Sequence, residues 1–337
     1  MEEKIPNNFR KSKIDRISTS FTNRFKFFKN GFGDESFLNL IPGVLLNLEP
    51  VTPQIDWYSE KRFGGIIWKK GRFPSPFQNH LPPSAQIANV RMISPREIHR
   101  DTPICIHFAM TGDQGFSNRL FSIALPLLKD GIASIILEIP YYGKRKPKTQ
   151  FNVLVETVSD FLKMCGGTIA EGLALISYAR MEGFQNIGVS GVSMGGNISC
   201  FVTSLTGEPI ASVPCLPPHS PQPVFFSGML KGSVNWKSLK KECDGDLEKA
   251  RLKLSHILDS SDLLKFPKPV SAKNVVFVAG EADAIVSPET VMELHRYWEG
   301  SEIRWVKGGH VGSIFGKTGI FRQAIRDSFQ KLIKNRQ

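Results

Sequence analysis

Residues 186–197 read NIGVSGVSMGGN. The first five, Asn186–Ser190, are a short apolar run of strand type, and Gly195–Thr206 reads as a helix. Ser193 therefore stands on the turn between a strand and a helix, inside the pattern G-x-S-x-G. That context gives the short motif a mechanism. A nucleophilic serine needs a sharp turn, and Gly191 and Gly195 carry no Cβ to collide where strand and helix cross. The helix that follows aims its first N–H groups at whatever lies over Ser193.

The alternation extends outward from this turn. Upstream, Ile104–Phe108 (ICIHF) and Ile132–Pro140 (IASIILEIP) read as strands separated by a helical FSIALPLL. Downstream come strands at Pro209–Pro214, Asn274–Gly280 and Glu302–Val306, a helix from Pro288, and a closing helix over Thr318–Asn335. Apolar strands alternating with helices imply a mostly parallel central sheet with helices on both faces. With G-x-S-x-G on the turn after one of its strands, the expectation is an α/β-hydrolase fold. Residues 30–100 hold turn signals and a strand near Ala85–Ile93, which fits early antiparallel strands of the same sheet. Residues 217–270 contain no strand signal and a charged helical stretch. An insertion of this length before the next strand reads as a lid or binding element, or as a helical excursion that only stabilises the fold. The domain division is thus a basic segment, 1–30, followed by one hydrolase-type domain, 31–337.

A serine hydroxyl attacks only when a base removes its proton. Of the seven histidines, His310 lies in a Gly-rich loop (KGGHVG) directly after the last strand. That is the sheet edge where ligands and catalytic groups gather. His107 falls within a strand and reads as a core residue, and His219, in the Pro-rich start of the insertion, is the second choice. A carboxylate must hold the imidazole in its tautomer. Asp283, in GEADAIV just past a strand, is the candidate, with Glu281 its rival. Ser193, Asp283 and His310 then follow the α/β-hydrolase order along the chain. The oxyanion needs two N–H donors. Met194, after the nucleophile, supplies one, and the loop after Ile104–Phe108 (AMTGD) supplies the other. Thr111 is the candidate there, with Gly112 and Asp113 beside it. The composition points to no metal and no organic cofactor.

The net charge of +12 raises the question of an anionic partner. Eight lysines and arginines fall in the first thirty residues. Between them Ile14, Ile17, Phe21, Phe25 and Phe28 follow helical spacing over residues 13–29. This segment reads as a membrane-surface helix, as a helix docked on its own domain, or as a mitochondrial import helix, against which Glu2 and Glu3 count. A second basic run, Lys144–Lys148, leaves a strand at the same edge as Ser193, so Lys144, Arg145 and Lys146 are candidates to hold an anionic headgroup. A solvent-facing loop is the alternative. No nucleic-acid module is recognisable. No apolar run is long enough to cross a bilayer, and the charged start, Met1-Glu2-Glu3-Lys4, is unlike a secretory signal. Five cysteines without a C-x-x-C pair read as reduced, mostly buried thiols, which suggests an intracellular reducing compartment.

Four segments, PICIHFAMTGDQ, LEIPYYGKRKPK, GVSMGG and EIRWVKGGH with GIFRQAI behind it, together resemble the abhydrolase-domain-containing protein 18 family. The resemblance covers the chain roughly from Lys13 onward, and its insertion looks shorter than in some relatives. It implies an α/β-hydrolase fold, serine-hydrolase chemistry and a lipid acyl ester as substrate, with a mitochondrial phospholipid such as cardiolipin in view. The rival readings are an acyltransferase using the same acyl-enzyme, a peptidase, and a non-catalytic binding or scaffold protein on this fold.

Overall fold

The computed structural model of the protein describes Ser12, Ile14, Asp15 and residues 25–336. Nine strands form one sheet in the order β1-β2-β3-β5-β4-β6-β7-β8-β9. β1 (Asp56–Phe63), β2 (Ile66–Pro74) and β3 (Ile87–Pro95) pair antiparallel, and β3 joins β5 (Ala133–Glu138) antiparallel. From there the pairing is parallel. β4 (Ile104–Phe108) lies between β5 and β6 (Ile187–Val192), followed by β7 (Ala211–Cys215), β8 (Val276–Gly280) and β9 (Glu302–Val306).

The inner parallel strands β4, β5, β7 and β8 are buried along their whole length and mainly apolar, because both of their faces are covered. In β4, Ile104, Ile106 and Phe108 enter one core cluster, and Cys105 enters the cluster on the opposite face. β8 splits likewise, with Phe277 and Ala279 on one side and Val276 and Val278 on the other. This is the period-two alternation of a strand with core on both sides. The first face is covered by α1 (Val158–Met181) and α2 (Met194–Leu205), and the second by a helix at Thr318–Lys334 that brings Phe321, Ile325, Phe329 and Leu332. After β5 the chain becomes α-helical again at Val158. There the Thr157 side chain accepts from Asp160 N–H at 3.0 Å and starts the helix.

The segment between β7 and β8 is helical, as expected. Its main helix, α3 (Leu247–Asp259), is capped by Asp246, whose carboxylate accepts from Glu248 and Lys249 N–H. It buries Ala250, Leu254, Ile257 and Leu258, one stripe at helical spacing, and leaves its charges outside. A shorter helix, α4 (Pro221–Phe226), inserts Phe225 into an aromatic cluster with Phe27, Phe28 and Phe161.

That cluster corrects part of the expectation for residues 13–29. Ile14 and Asp15 are helical, and the remainder of 13–24 lies outside the described residues. Phe25–Lys29 is not helix. Phe27 forms a parallel bridge with Val234 of the insertion, and Phe28 turns with φ +62° into full burial. The aromatic contacts offered by the insertion outweigh the helical spacing of the sequence. Among the described residues no helix is long and apolar enough to cross a membrane.

Candidate active site

β6 ends at Val192, and the chain reverses into α2 at Ser193 with φ +56° and ψ −118°. Few L-residues adopt this backbone, and strain of this kind persists only where the surroundings enforce it. Here they do. A Cβ at Gly191 would overlap the Gly195 carbonyl, and a Cβ at Gly195 would press on the Phe108 and Ala109 carbonyls. Ser193 N–H is itself held by Cys215 O at 2.8 Å, from β7. The hydroxyl is thereby presented above the carboxyl edge of the sheet.

The loops after β8 and β9 meet it there. His310 Nε2 lies 2.9 Å from Ser193 Oγ, and His310 Nδ1 lies 2.6 Å from Asp283 Oδ2. The other Asp283 oxygen accepts from Ile285 and Val286 N–H at 2.9 and 2.8 Å, which fixes the carboxylate's rotation. Both His310 and Asp283 are buried. Burial works against the imidazolium. The charge and hydrogen bond of Asp283, with the charge of Asp15, outweigh it and raise the His310 pKa above its ordinary 6.5. Glu281 is not the partner of the imidazole, since Nδ1 faces Asp283.

The donors for an oxyanion are arranged next to this. Met194 is the first residue of α2, so its N–H has no intrahelical acceptor. In the facing loop, Asp113 N–H bonds Met110 O at 3.1 Å, and Gly112 N–H bonds the Tyr142 hydroxyl at 3.0 Å. Those two donors are engaged, which leaves Thr111 of the three candidates. Its Oγ1 lies 3.7 Å from Met194 Sδ, and it lines the cavity beside Ser193. Arg119 braces the loop from behind. It pairs with Asp113 at 2.7 Å and donates to the carbonyls of His107 and Leu137.

The basic run is divided. Lys144 is exposed and Lys146 half-buried, both after β5 at the same sheet edge. Arg145 is not available to a headgroup. It is buried, bonded to both oxygens of Glu171 from α1 and to the carbonyls of Glu138 and Ala85. A guanidinium in the interior needs a counter-charge and acceptors, and Glu171, itself buried, supplies the charge to its two terminal nitrogens. A neutral reading of the motif as one cationic patch misses this because Glu171 lies 26 residues away.

A cavity of about 390 Å³ opens onto Ser193 and His310. Its walls are mainly apolar: Phe25, Phe27, Met110, Leu154, Leu230 and Ile314 among them. A smaller cavity of about 60 Å³ lies on the inner side of Ser193, between Phe161, Phe225 and Val286. The walls from Phe25, Phe27 and Leu230 are contributions that sequence reading missed, as is Asp15. Tyr142 lay in plain view within the PYYGKRKPK motif. His107 is a core residue, 3.0 Å from Ser134 Oγ, as its strand position implied. Among the described residues no group of side chains could hold a metal ion.

The fold defines the class: an α/β hydrolase. The chain matches the family described as alpha/beta hydrolase domain containing 18 over residues 26–248 and 240–331, and it belongs to that family. Solved structures share the fold at low identity. The acetyl xylan esterase from Paenibacillus sp. R4 is 15% identical, covering 90% of this chain and 98% of its own, with a TM-score of 0.60. Acetyl xylan esterase 1 from Thermoanaerobacterium sp. JW/SL YS485 is 16% identical, covering 93% and 98%, with a TM-score of 0.57. Est1E from Butyrivibrio proteoclasticus, with ferulic acid bound, is 15% identical, covering 74% and 96%, with a TM-score of 0.53.

Proposed function

We propose that the protein cleaves the acyl ester of a membrane phospholipid through an acyl-enzyme on Ser193. The observation that carries this is the apolar cavity at Ser193 together with its rim. Phe25 and Val153 line the mouth and are 56% and 37% exposed. Their neighbours Phe151, next to the wall residue Asn152, and Phe315, next to Ile314, are 84% and 76% exposed. Lysines stand among them. Lys29 Nζ is 5.6 Å from the Phe151 ring, and Lys146 Nζ is 3.5 Å from Phe151 O. Exposed aromatics with lysines around an apolar opening suit an anionic lipid surface, with acyl chains drawn inward. Of the three headgroup candidates Lys144, Arg145 and Lys146, Lys144 and Lys146 remain.

In this mechanism Ser193 Oγ attacks the ester carbonyl and His310 Nε2 takes its proton. Asp283 holds the imidazolium, and Met194 and Thr111 N–H groups stabilise the oxyanion. His310 then returns the proton to the leaving alcohol. Water, deprotonated by His310, attacks the acyl-serine and releases the fatty acid. The family and the esterase neighbours support ester hydrolysis, and the cavity supports the lipid class. A mitochondrial phospholipid remains the specific candidate that the family resemblance implies.

Fluorophosphonate labelling of wild type, lost in Ser193→Ala, tests the nucleophile. Equal labelling of both, or of neither, sinks it. Release of fatty acid from vesicles of phosphatidylcholine, phosphatidylglycerol or cardiolipin tests the substrate. Turnover confined to short soluble esters, unchanged by any vesicle, would end the phospholipid reading. Phe151→Asp with Phe315→Asp should weaken vesicle binding and leave soluble-ester turnover intact.

A further inference from the structure

The three-residue arrangement at Ser193 leaves one buried carboxylate beside it without a role. Asp15, in the N-terminal arm, has none of its surface exposed. Its Oδ2 accepts from His310 N–H at 2.8 Å and from Ala284 N–H at 3.1 Å, and its Oδ1 accepts from Val311 N–H at 2.9 Å. Ser12 N–H adds a bond to Ala282 O at 3.3 Å. Both chain neighbours of Asp283 are thus tied to the arm, and so is His310 itself. These attachments come from residues nearly three hundred positions away in sequence.

We propose that Asp15 is a positioning residue of the active site, a bolt that locks the loop carrying Asp283 to the turn carrying His310. The proposal rests on the reading of His310 as the base. The two loops leave separate strands, β8 and β9, and the last direct backbone bond between them is Ala282 N–H to Gly308 O at 3.0 Å, short of both Asp283 and His310. The 2.6 Å bond between His310 and Asp283 and the 2.9 Å reach to Ser193 both depend on their spacing. One carboxylate shared by both backbones sets that spacing. A lateral error of an ångström at such a site is costly in rate.

The arm is also fitted closely to its seat. A Cβ on Gly309 would collide with Asp15 Oδ2 and with Ser12 Cβ. Gly309 has φ −92° and ψ −175°, a backbone that alanine tolerates. Glycine is required there for the arm and not for the turn. Asp15 has an electrostatic consequence as well. Among the described residues, the charged groups facing the imidazole are Asp283 from the loop after β8 and Asp15 from the arm, and both favour its protonated form.

Two variants and two readouts decide the matter. Asp15→Asn keeps the shape, removes the charge and turns one acceptor into a donor facing N–H groups. Gly309→Ala displaces the carboxylate from the other side. The His310 imidazole is titrated by NMR in full-length protein, its resonance assigned by loss in His310→Gln. Its pKa should fall in Asp15→Asn by about half a unit to one unit. The acid limb of kcat/KM on a soluble ester should move to lower pH by the same amount. At the optimum, kcat should fall at least tenfold with KM little changed, and Gly309→Ala should follow. The NMR titration needs no turnover, so a failure of the catalytic reading, seen in Ser193→Ala, is separate from a failure here. If Asp15→Asn does not fold, Gly309→Ala decides. An unchanged His310 pKa with unchanged kcat per folded molecule, whatever the loss of Tm, overturns the proposal.

Discussion

The molecule contains two buried histidines paired with aspartates, and they differ in what faces the second ring nitrogen. His310 holds Asp283 at Nδ1, 2.6 Å, and presents Nε2 to Ser193 Oγ. His219 holds Asp262 at Nδ1, 2.7 Å, and its Nε2 faces Glu293 Oε2 at 3.1 Å. The first pair ends on a hydroxyl in a cavity, and the second ends on another carboxylate. A histidine between two acids is a strut. It joins the chain after β7 to the end of the insertion and to the helix Pro288–Tyr297. A histidine between an acid and a hydroxyl can move a proton. The difference shows that a His–Asp pair acquires chemistry only from its third partner.

The largest effect should come from breaking the reactive pair. His310→Ala should lower kcat on a soluble ester on the order of 10⁴-fold or more, with the protein still folded. Asp283→Asn should follow closely, on the order of 10³- to 10⁴-fold, because an amide would hold the wrong tautomer of His310. Steady-state kinetics beside a thermal melt measure both. Activity within tenfold of wild type in either variant would remove the distinction between the two pairs.

The pH profile sharpens the comparison at smaller scale. His310 must be neutral to act as base. Burial disfavours its charged form, but Asp283 and Asp15 prevail and hold its pKa above 6.5. The acid limb of kcat/KM should therefore have its midpoint above 6.5, with activity rising as pH rises through it. His219→Gln should leave that midpoint in place. A limb that moves in His219→Gln would mean the two histidines are not independent.

Much of this was legible in the sequence, for physical reasons. Strands buried on both faces are runs of apolar residues, so β4, β5 and β8 stood out, and β9 was bounded to the residue. Ser193, Asp283 and His310 were readable because each lies just past such a strand, where the sheet edge brings loops together. What escaped depends on contacts distant in sequence. Helical spacing carried the stripe past Phe25, whereas Phe27 and Phe28 answer to Phe225 and Phe161. The Lys144–Lys148 run appeared to be one patch until Glu171 claimed Arg145. Asp15 carries no local sign of its destination, since its partners are backbone N–H groups that any residue could offer.

The smallest effect on turnover should come from the strut. Asp262 is half-buried, and burial raises its pKa. The hydrogen bonds from His219 and from Leu264 N–H outweigh that and hold it below the usual 3.8. A depressed carboxylate stabilises the fold above its unfolded pKa, and that contribution is lost as pH falls through the lowered value. His219→Gln replaces the ring with an uncharged group that reaches one acid at most, which leaves Glu293, itself half-exposed, to water. The variant should lose a few degrees of Tm at neutral pH, and its acid-unfolding midpoint should rise. Its kcat should stay within a few-fold of wild type, because Asn197 still ties Pro218, next to His219, to α2 at 2.9 Å. Loss of turnover on the scale of His310→Ala, in a variant that still melts cooperatively, would make His219 part of the chemistry and erase the contrast between strut and base.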